Sequence, residues 1–423
     1  MSLREVRGVP PPKWIRDKKT DRVITSNLEN IREALKFLKI RVTYDAFARE
    51  LRLNGAAVVD DLAFEKIWVR ITDRCGWQPN RRNLQAVITC DAEEHATHPV
   101  KDYLNRLVWD GVARLDTWLI TYAEAPANDY VRGVSPLPLL AAVQRIYAPG
   151  TKFDELLTLE STQGTGKSSA LRALCPCDDW FSDDLPLGVD AKVVIERTAG
   201  KWIIEAAEMV GNRGKETDNL KAFLSRGTDG PVRQAYGRLS VSVPRQFVMI
   251  ATTNHGGHYL KDMTGARRFW PVTIKQFNVE ALRRDRDQLW AEAVARAPTA
   301  SLHLKQSLWA DAAEEQEARR ATDPWEDVLD AKIPRKTDAS GEIHWVTSIA
   351  CQFVWAEILG VPVGVRLQHH EDRLFAIMDR WGYMVRRRKV GMCWVLKDPK
   401  APKKDLTKAD QEDLEANEAP KEP

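Results

Sequence analysis

The chain has 423 residues, of which 43% are hydrophobic and 29% charged, and its formal net charge is +3. This is the composition of a globular protein with room for two or three domains, and the near-balanced charge excludes a globally basic nucleic-acid binder, so any such surface has to be local. The six cysteines form no CxxC pair and no stretch reaches the ~18 apolar residues of a membrane span, which argues against a zinc module, a disulfide framework and a membrane protein. The first residues lack the apolar run of a signal peptide, so a cytoplasmic location is expected.

Residues 1–25 are basic and proline-rich (Pro10-Pro11-Pro12, Lys18-Lys19) and predict a flexible arm. From Ser26 the pattern turns helical: Ile31, Leu35 and Leu38 recur on one helix face, with Ser26 or Asn27 as N-cap. Similar spacing at Tyr103-Leu104-Leu107 and Leu115-Trp118-Leu119 predicts a mainly helical N-terminal domain over 26–136, with Trp68, Trp77, Trp109 and Trp118 as core anchors. Across 137–300, short apolar runs at Leu156–Leu159, Trp202–Ile204 and Phe247–Thr253 alternate with helical segments. That alternation predicts an α/β domain with a mostly parallel sheet. A charged helical connector is expected over 301–323. Residues 324–397 predict helices near Val346–Leu359 and Glu371–Trp381, then strands Tyr383–Arg388 and Met392–Leu396 around Val390-Gly391, an order that resembles a winged helix. The Lys/Glu/Ala/Pro-rich stretch 398–423 predicts disorder.

Residues 160–169 read Glu-Ser-Thr-Gln-Gly-Thr-Gly-Lys-Ser-Ser and lie between an apolar run and a helical pattern. In a phosphate-binding loop, glycines let the backbone wrap the phosphates with N–H groups pointing inward, a lysine supplies a mobile charge, and the following Ser or Thr ligates Mg²⁺. Gly164, Gly166, Lys167 and Ser168 fill those places, with Gln163, Thr165 and Ser169 completing the expected ATP contacts; the signature's first glycine would fall at 161, where this chain has Ser161. A P-loop also needs an acid at the end of a neighbouring strand to hold the metal and orient water. In Lys201–Glu208 the expected acid is Glu208, just past the strand, with Glu205 inside it as the alternative. Asn254 ends a further apolar strand and can hold the attacking water. Arg267 and Arg268, in the loop opened by Gly265, are either solvated charges or, as in ring ATPases, groups that complete a neighbouring subunit's site. Arg233 and Arg238 flank a Gly turn before Leu239–Val243, a hairpin that either touches nucleic acid or decorates the surface. Arg386, Arg387, Arg388 and Lys389 beside Val390-Gly391 are either a solvated face or a wing that contacts nucleic-acid backbone.

The order of these motifs resembles the virulence-associated protein E family, encoded by phages, prophages and pathogenicity islands. The resemblance rests on His98–Leu104, Trp109-Asp110-Gly111, Gln163–Ser168, Gly200–Glu205, Thr252-Thr253-Asn254, Arg267–Val272 and Arg286–Ala293. It implies a P-loop NTPase core of the AAA+/superfamily 3 type, related to poxvirus-type primase-helicases, with helicase-like assembly as a homo-hexamer. The implied activity is DNA-dependent ATP hydrolysis, with Mg²⁺, during replication of a mobile element in a bacterial host cell. Single-stranded or forked DNA and phage or host replication proteins are the expected partners. An ATP-switched DNA-binding loader or scaffold without unwinding activity is the alternative. A small-molecule kinase shares the loop, but chain length, the Asn254 strand and the Arg267-Arg268 pair argue against it.

Overall fold

The apolar runs of the central segment become the strands of one parallel sheet. The computed structural model describes residues 12–58, 62–184, 187–207, 214–233, 240–254, 259–260, 266–320, 323–337 and 343–397. The tail predicted over 398–423 and the first part of the predicted arm lie outside them. The chain divides into two compact units, Met1–Arg320 and Ala321–Pro423.

In the first unit, five strands lie in the order Phe269–Thr273, Leu156–Glu160, Val248–Thr253, Ile203–Ala207, Phe181–Ser182. Every neighbouring pair is parallel. The middle strands are buried along nearly their whole length, as expected where both faces of a parallel sheet are covered. Successive side chains point to opposite faces, and the core divides accordingly. Leu157, Leu159, Ile203, Val248, Ile250 and Val272 join a large cluster on one side. Leu156, Ile204, Ala206, Met249, Ala251 and Phe269 join Leu220, Phe223 and Leu224 on the other. The larger side is organised around Trp202 and Trp290, both fully buried and stacked with ring centroids 4.1 Å apart. Each indole N–H finds a carbonyl: Trp202 donates to Ala142 O at 3.1 Å and Trp290 to Leu174 O at 2.8 Å. Helices Pro136–Tyr147, Lys167–Leu174 and Val279–Arg296 are thereby tied to the sheet.

Preceding this sheet, helices Leu28–Phe37, Leu62–Cys75 and Arg81–Glu94 pack a separate core around Ile31, Ile71 and Ile88. Asn27 is the N-cap of the first helix and accepts from Asn30 N at 3.1 Å. The segment expected to be mainly helical also carries a four-stranded sheet, whose strands of two to four residues are too short to give a period-two signal. Residues of the expected flexible arm are pinned by the buried Asn30 amide, which accepts from Ile15 N at 2.7 Å and donates to Ile15 O at 2.8 Å. Among the tryptophans predicted as anchors, Trp118 and Trp77 are buried, while Trp68 and Trp109 are partly exposed. The expected connector contains helix Trp309–Ala318, whose Gln316 donates to Phe269 O at 2.9 Å, so it packs onto the edge strand.

In the second unit, helix Pro324–Lys332 is capped by Asp323, which also holds Arg373 of helix Gln368–Arg380. Strands Ser348–Ala350, Gly391–Leu396 and Tyr383–Arg388 form an antiparallel sheet in that order. No helix among the described residues is long and apolar enough to cross a membrane.

Candidate active site

Parallel register brings the carboxyl ends of the middle strands to one edge: Thr253 is level with Glu160, and Ala207 with Thr252. Crevices at such edges are where open α/β sheets bind ligands. Strand Leu156–Glu160 ends there, turns through residues 161–166 and enters helix Lys167–Leu174. Gly164 and Gly166 take left-handed φ values of 86° and 84°, which glycine adopts without the steric cost of a Cβ. A Cβ at 166 would meet Phe277 and Val279 at 3.5 Å, ordinary contact, so the dihedral rather than the space calls for glycine there. Phe277 N donates to Thr165 O at 3.0 Å and braces the turn from outside.

Lys167 is 7% exposed. Its ammonium donates to Ser161 Oγ at 2.7 Å, Thr162 O at 3.1 Å and Ser161 O at 3.3 Å, all within its own loop. It also donates to Asn254 Oδ1 at 3.1 Å, so the lysine and the strand-end amide singled out in the sequence are in contact.

Beside them, Ser168 Oγ donates to Glu205 Oε1 at 2.7 Å, and Thr252 Oγ1 donates to the same oxygen at 2.6 Å. Glu205 is 1% exposed, and its Oε2 has no hydrogen-bond partner among the described residues. An unpaired buried carboxylate oxygen is costly and calls for a cation or a further donor. Ser168 and Ala207 are themselves exposed, so the crevice is open to solvent at this point. Glu208, the first choice of acid from the sequence, lies outside the described residues, as does Arg238. Gln163 and Ser169 are exposed, whereas Thr165 is buried with its hydroxyl 2.5 Å from Ser161 Oγ.

Sequence reading missed Thr252 as the second donor to Glu205. It also missed a buried cluster at Glu160, the last strand residue before the turn. Glu160 accepts from Arg319 Nε at 2.9 and 2.8 Å, from Thr273 Oγ1 at 3.1 Å, and from the Tyr259 hydroxyl. Burial works against the charge on Arg319, but Glu160 and Glu315 more than offset it and hold its pKa up. Burial, with Glu160 beside it, raises the Tyr259 phenol. Partners separated by as many as 159 residues leave no local signal in a sequence.

Arg267 and Arg268, in the same unit, lie apart from this edge. They form a single helical turn immediately before strand Phe269–Thr273. Phe269 is level with Leu156 and Thr273 with Glu160, so the arginines sit at the opposite end of the sheet, about 13 Å away along the strand at ~3.3 Å per residue. Arg233 is exposed at the end of strand Thr228–Arg233, which pairs antiparallel with Ser240–Pro244. Buried Asp229 and Arg245, paired at 2.6 Å, anchor the base of that hairpin. In the second unit Arg386, Arg387, Arg388 and Lys389 are all exposed. Arg380 is turned away from solvent and pairs with Glu326 at 2.7 Å.

The family model for the virulence-associated protein E-like domain matches residues 104–321. Among solved structures, the chain is similar to two apo structures of the NrS-1 C-terminal region. The first has 12% identity and a TM-score of 0.43, the second 11% and 0.46, each match covering 86% of this chain and 98% of the other. It is similar also to the X-ray structure of JCV helicase, with 12% identity, a TM-score of 0.21, and coverage of 58% of this chain and 65% of that one. No curated protein matches the sequence.

The Glu160 cluster yields a stability prediction. Arg319→Met removes the cation from a buried carboxylate, and breaking such a pair costs about 3–5 kcal/mol. Urea denaturation should show a lower midpoint with an unchanged m-value. A loss below about 1 kcal/mol, the range of exposed pairs, would show that Tyr259 and Thr273 suffice.

Proposed function

We propose that this chain, which belongs to the virulence-associated protein E-like family, is a P-loop ATPase that acts on DNA in the replication of a phage or other mobile element. The observation that carries this reading is the meeting of Lys167, Ser168, Glu205 and Asn254 at one strand edge, around a turn shaped by Gly164 and Gly166. The turn runs directly into a helix N-terminus, whose free N–H groups favour phosphate oxygens. Lys167 supplies the point charge for the β- and γ-phosphates. Ser168 and Glu205 would hold Mg²⁺, and the unpaired Glu205 Oε2 supports that assignment. When bound, the metal offsets charge on the transferring phosphoryl group. Asn254, in contact with Lys167, would orient the attacking water. Glu208 stays a candidate for a second acid, and Gln163, Thr165 and Ser169 for the rest of the ATP contacts.

Arg267 and Arg268 lie too far from their own chain's loop to reach its phosphates. In a ring, a homo-hexamer in this reading, they would face a neighbour's site. The second unit supports a winged-helix reading: after helix Pro324–Lys332 and a short hairpin, Arg335–Thr337 with Ile343–Trp345, strand Ser348–Ala350 leads into helical segments and a terminal hairpin, and pairs with the last strand of that hairpin. Its exposed Arg386–Lys389 tip, Arg233 at the end of its strand in the first unit, and Arg238, which lies outside the described residues, are the candidate contacts to single-stranded or forked DNA.

Three outcomes test this. Lys167→Ala should abolish most nucleotide affinity, and Glu205→Gln should bind ATP but hydrolyse it roughly a hundredfold or more slower, the order lost with one charge-stabilising group; wild-type turnover in either variant would mean the site is misassigned. Mixing Lys167→Ala protein with an Arg267→Ala/Arg268→Ala double variant, each inactive alone, should restore part of the ATPase, because some interfaces then pair an intact loop with intact arginines. A monomer that is fully active at high dilution contradicts shared sites.

Replacing Arg386, Arg387, Arg388 and Lys389 with Ser should flatten the slope of log K against log[salt] on duplex DNA by roughly two units. That estimate takes about 0.9 per phosphate and counts two of the four charges, Arg386 and Arg388, which share one face of the strand. The loss should be uniform across sequences. An unchanged slope leaves these residues as a solubilising surface only.

A further inference from the structure

Ser161 has no task in the chemistry above, and the phosphate-loop signature has glycine in its place. We propose that Ser161 is a positioning residue that latches Lys167 inside its own loop, so that an incoming triphosphate must compete with the Ser161 hydroxyl for the ammonium. The proposal rests on the phosphate-loop reading and adds to it a determinant of nucleotide affinity.

Of the four acceptors around Lys167 Nζ among the described residues, Ser161 Oγ is the nearest, at 2.7 Å. The carbonyls of Ser161 and Thr162 would be present with any residues at those positions, and Asn254 belongs to another strand. The hydroxyl is therefore the one contact that serine rather than glycine contributes. It is also held in place. Ser161 Oγ lies 2.5 Å from Thr165 Oγ1 and donates to Thr162 O at 3.1 Å, while Thr165 Oγ1 reaches the same carbonyl at 3.2 Å. Thr165 is 7% exposed, so the cluster is backed by a buried side chain although Thr162 is itself exposed. An ammonium has three N–H donors. Hydrogen bonds from a cation to fixed acceptors are about twice as strong as neutral ones, so turning Lys167 toward phosphate costs the bond to Ser161. The latch acts only on the nucleotide-free protein. Its strength should then enter binding and not the chemical step.

The test is Mg-ATP affinity and steady-state kinetics of the full chain carrying Ser161→Ala, which removes the hydroxyl without adding backbone freedom. The expected result is a Kd roughly three- to tenfold lower, the scale set by one net hydrogen bond, with KM falling and kcat unchanged. Ser161→Thr, which restores a hydroxyl, should return both constants toward wild type, a reversal that a loss of packing would not produce. Equal or weaker ATP binding by Ser161→Ala overturns the latch and leaves the ATPase reading standing. Failure of the unaltered chain to bind Mg-ATP at all overturns the phosphate-loop reading, and the latch with it.

Discussion

One carboxylate fixes the geometry of the candidate site. Glu205 enters the crevice from a central strand with almost no solvent around it and takes hydrogen bonds from Ser168, at the start of the loop helix, and from Thr252, on the adjacent strand. Both donors use the same oxygen. The register of the parallel sheet makes this possible, because Glu205 is level with Ile250 and its side chain leans toward the strand end where Thr252 follows. The other oxygen is left without a partner among the described residues. Such an atom is tolerated when a ligand completes it, and a crevice whose neighbours Ser168 and Ala207 are exposed is open to one.

Two other groups at this edge are held differently. Lys167 is engaged by its own loop and by Asn254, contacts that a bound phosphate can exchange. Glu160, two strands from Glu205, is fixed by Arg319, Thr273 and Tyr259, an arrangement with a high cost of breaking. The strand end is therefore anchored while the turn that follows it retains alternatives. The stacked Trp202 and Trp290 secure the helix behind the loop through Leu174 O, in a close-packed core that resists rearrangement.

Much of this was legible in the sequence, for identifiable reasons. Gly164, Gly166, Lys167 and Ser168 are adjacent in the chain, and their spacing alone specifies a turn entering a helix. The central strands are apolar because both their faces are covered, which gives continuous runs at Leu156–Leu159 and Phe247–Thr253. What the sequence leaves open is set by register. Whether Glu205 or a later acid faces Ser168 depends on which way a side chain points in a buried strand, and a run with no polar alternation does not encode it. The Glu160–Arg319 pair depends on a helix that reads as a mere connector until its Gln316 and Arg319 are seen against the edge strand. The small N-terminal sheet is hidden for another reason: its strands of two to four residues span at most two periods of the alternation that would announce them.

In the proposed function, Ser168 and Glu205 would hold the metal of a nucleotide bound by residues 163–169. A crystal structure of the full chain with Mg²⁺ and a non-hydrolysable ATP analogue addresses it most directly. The expected result is triphosphate density along the 161–168 turn, Lys167 Nζ moved off Ser161 onto phosphate oxygen, and the metal beside Ser168 Oγ on the Glu205 side. Nucleotide bound elsewhere, or bound at this turn with the metal remote from both Ser168 and Glu205, would contradict it.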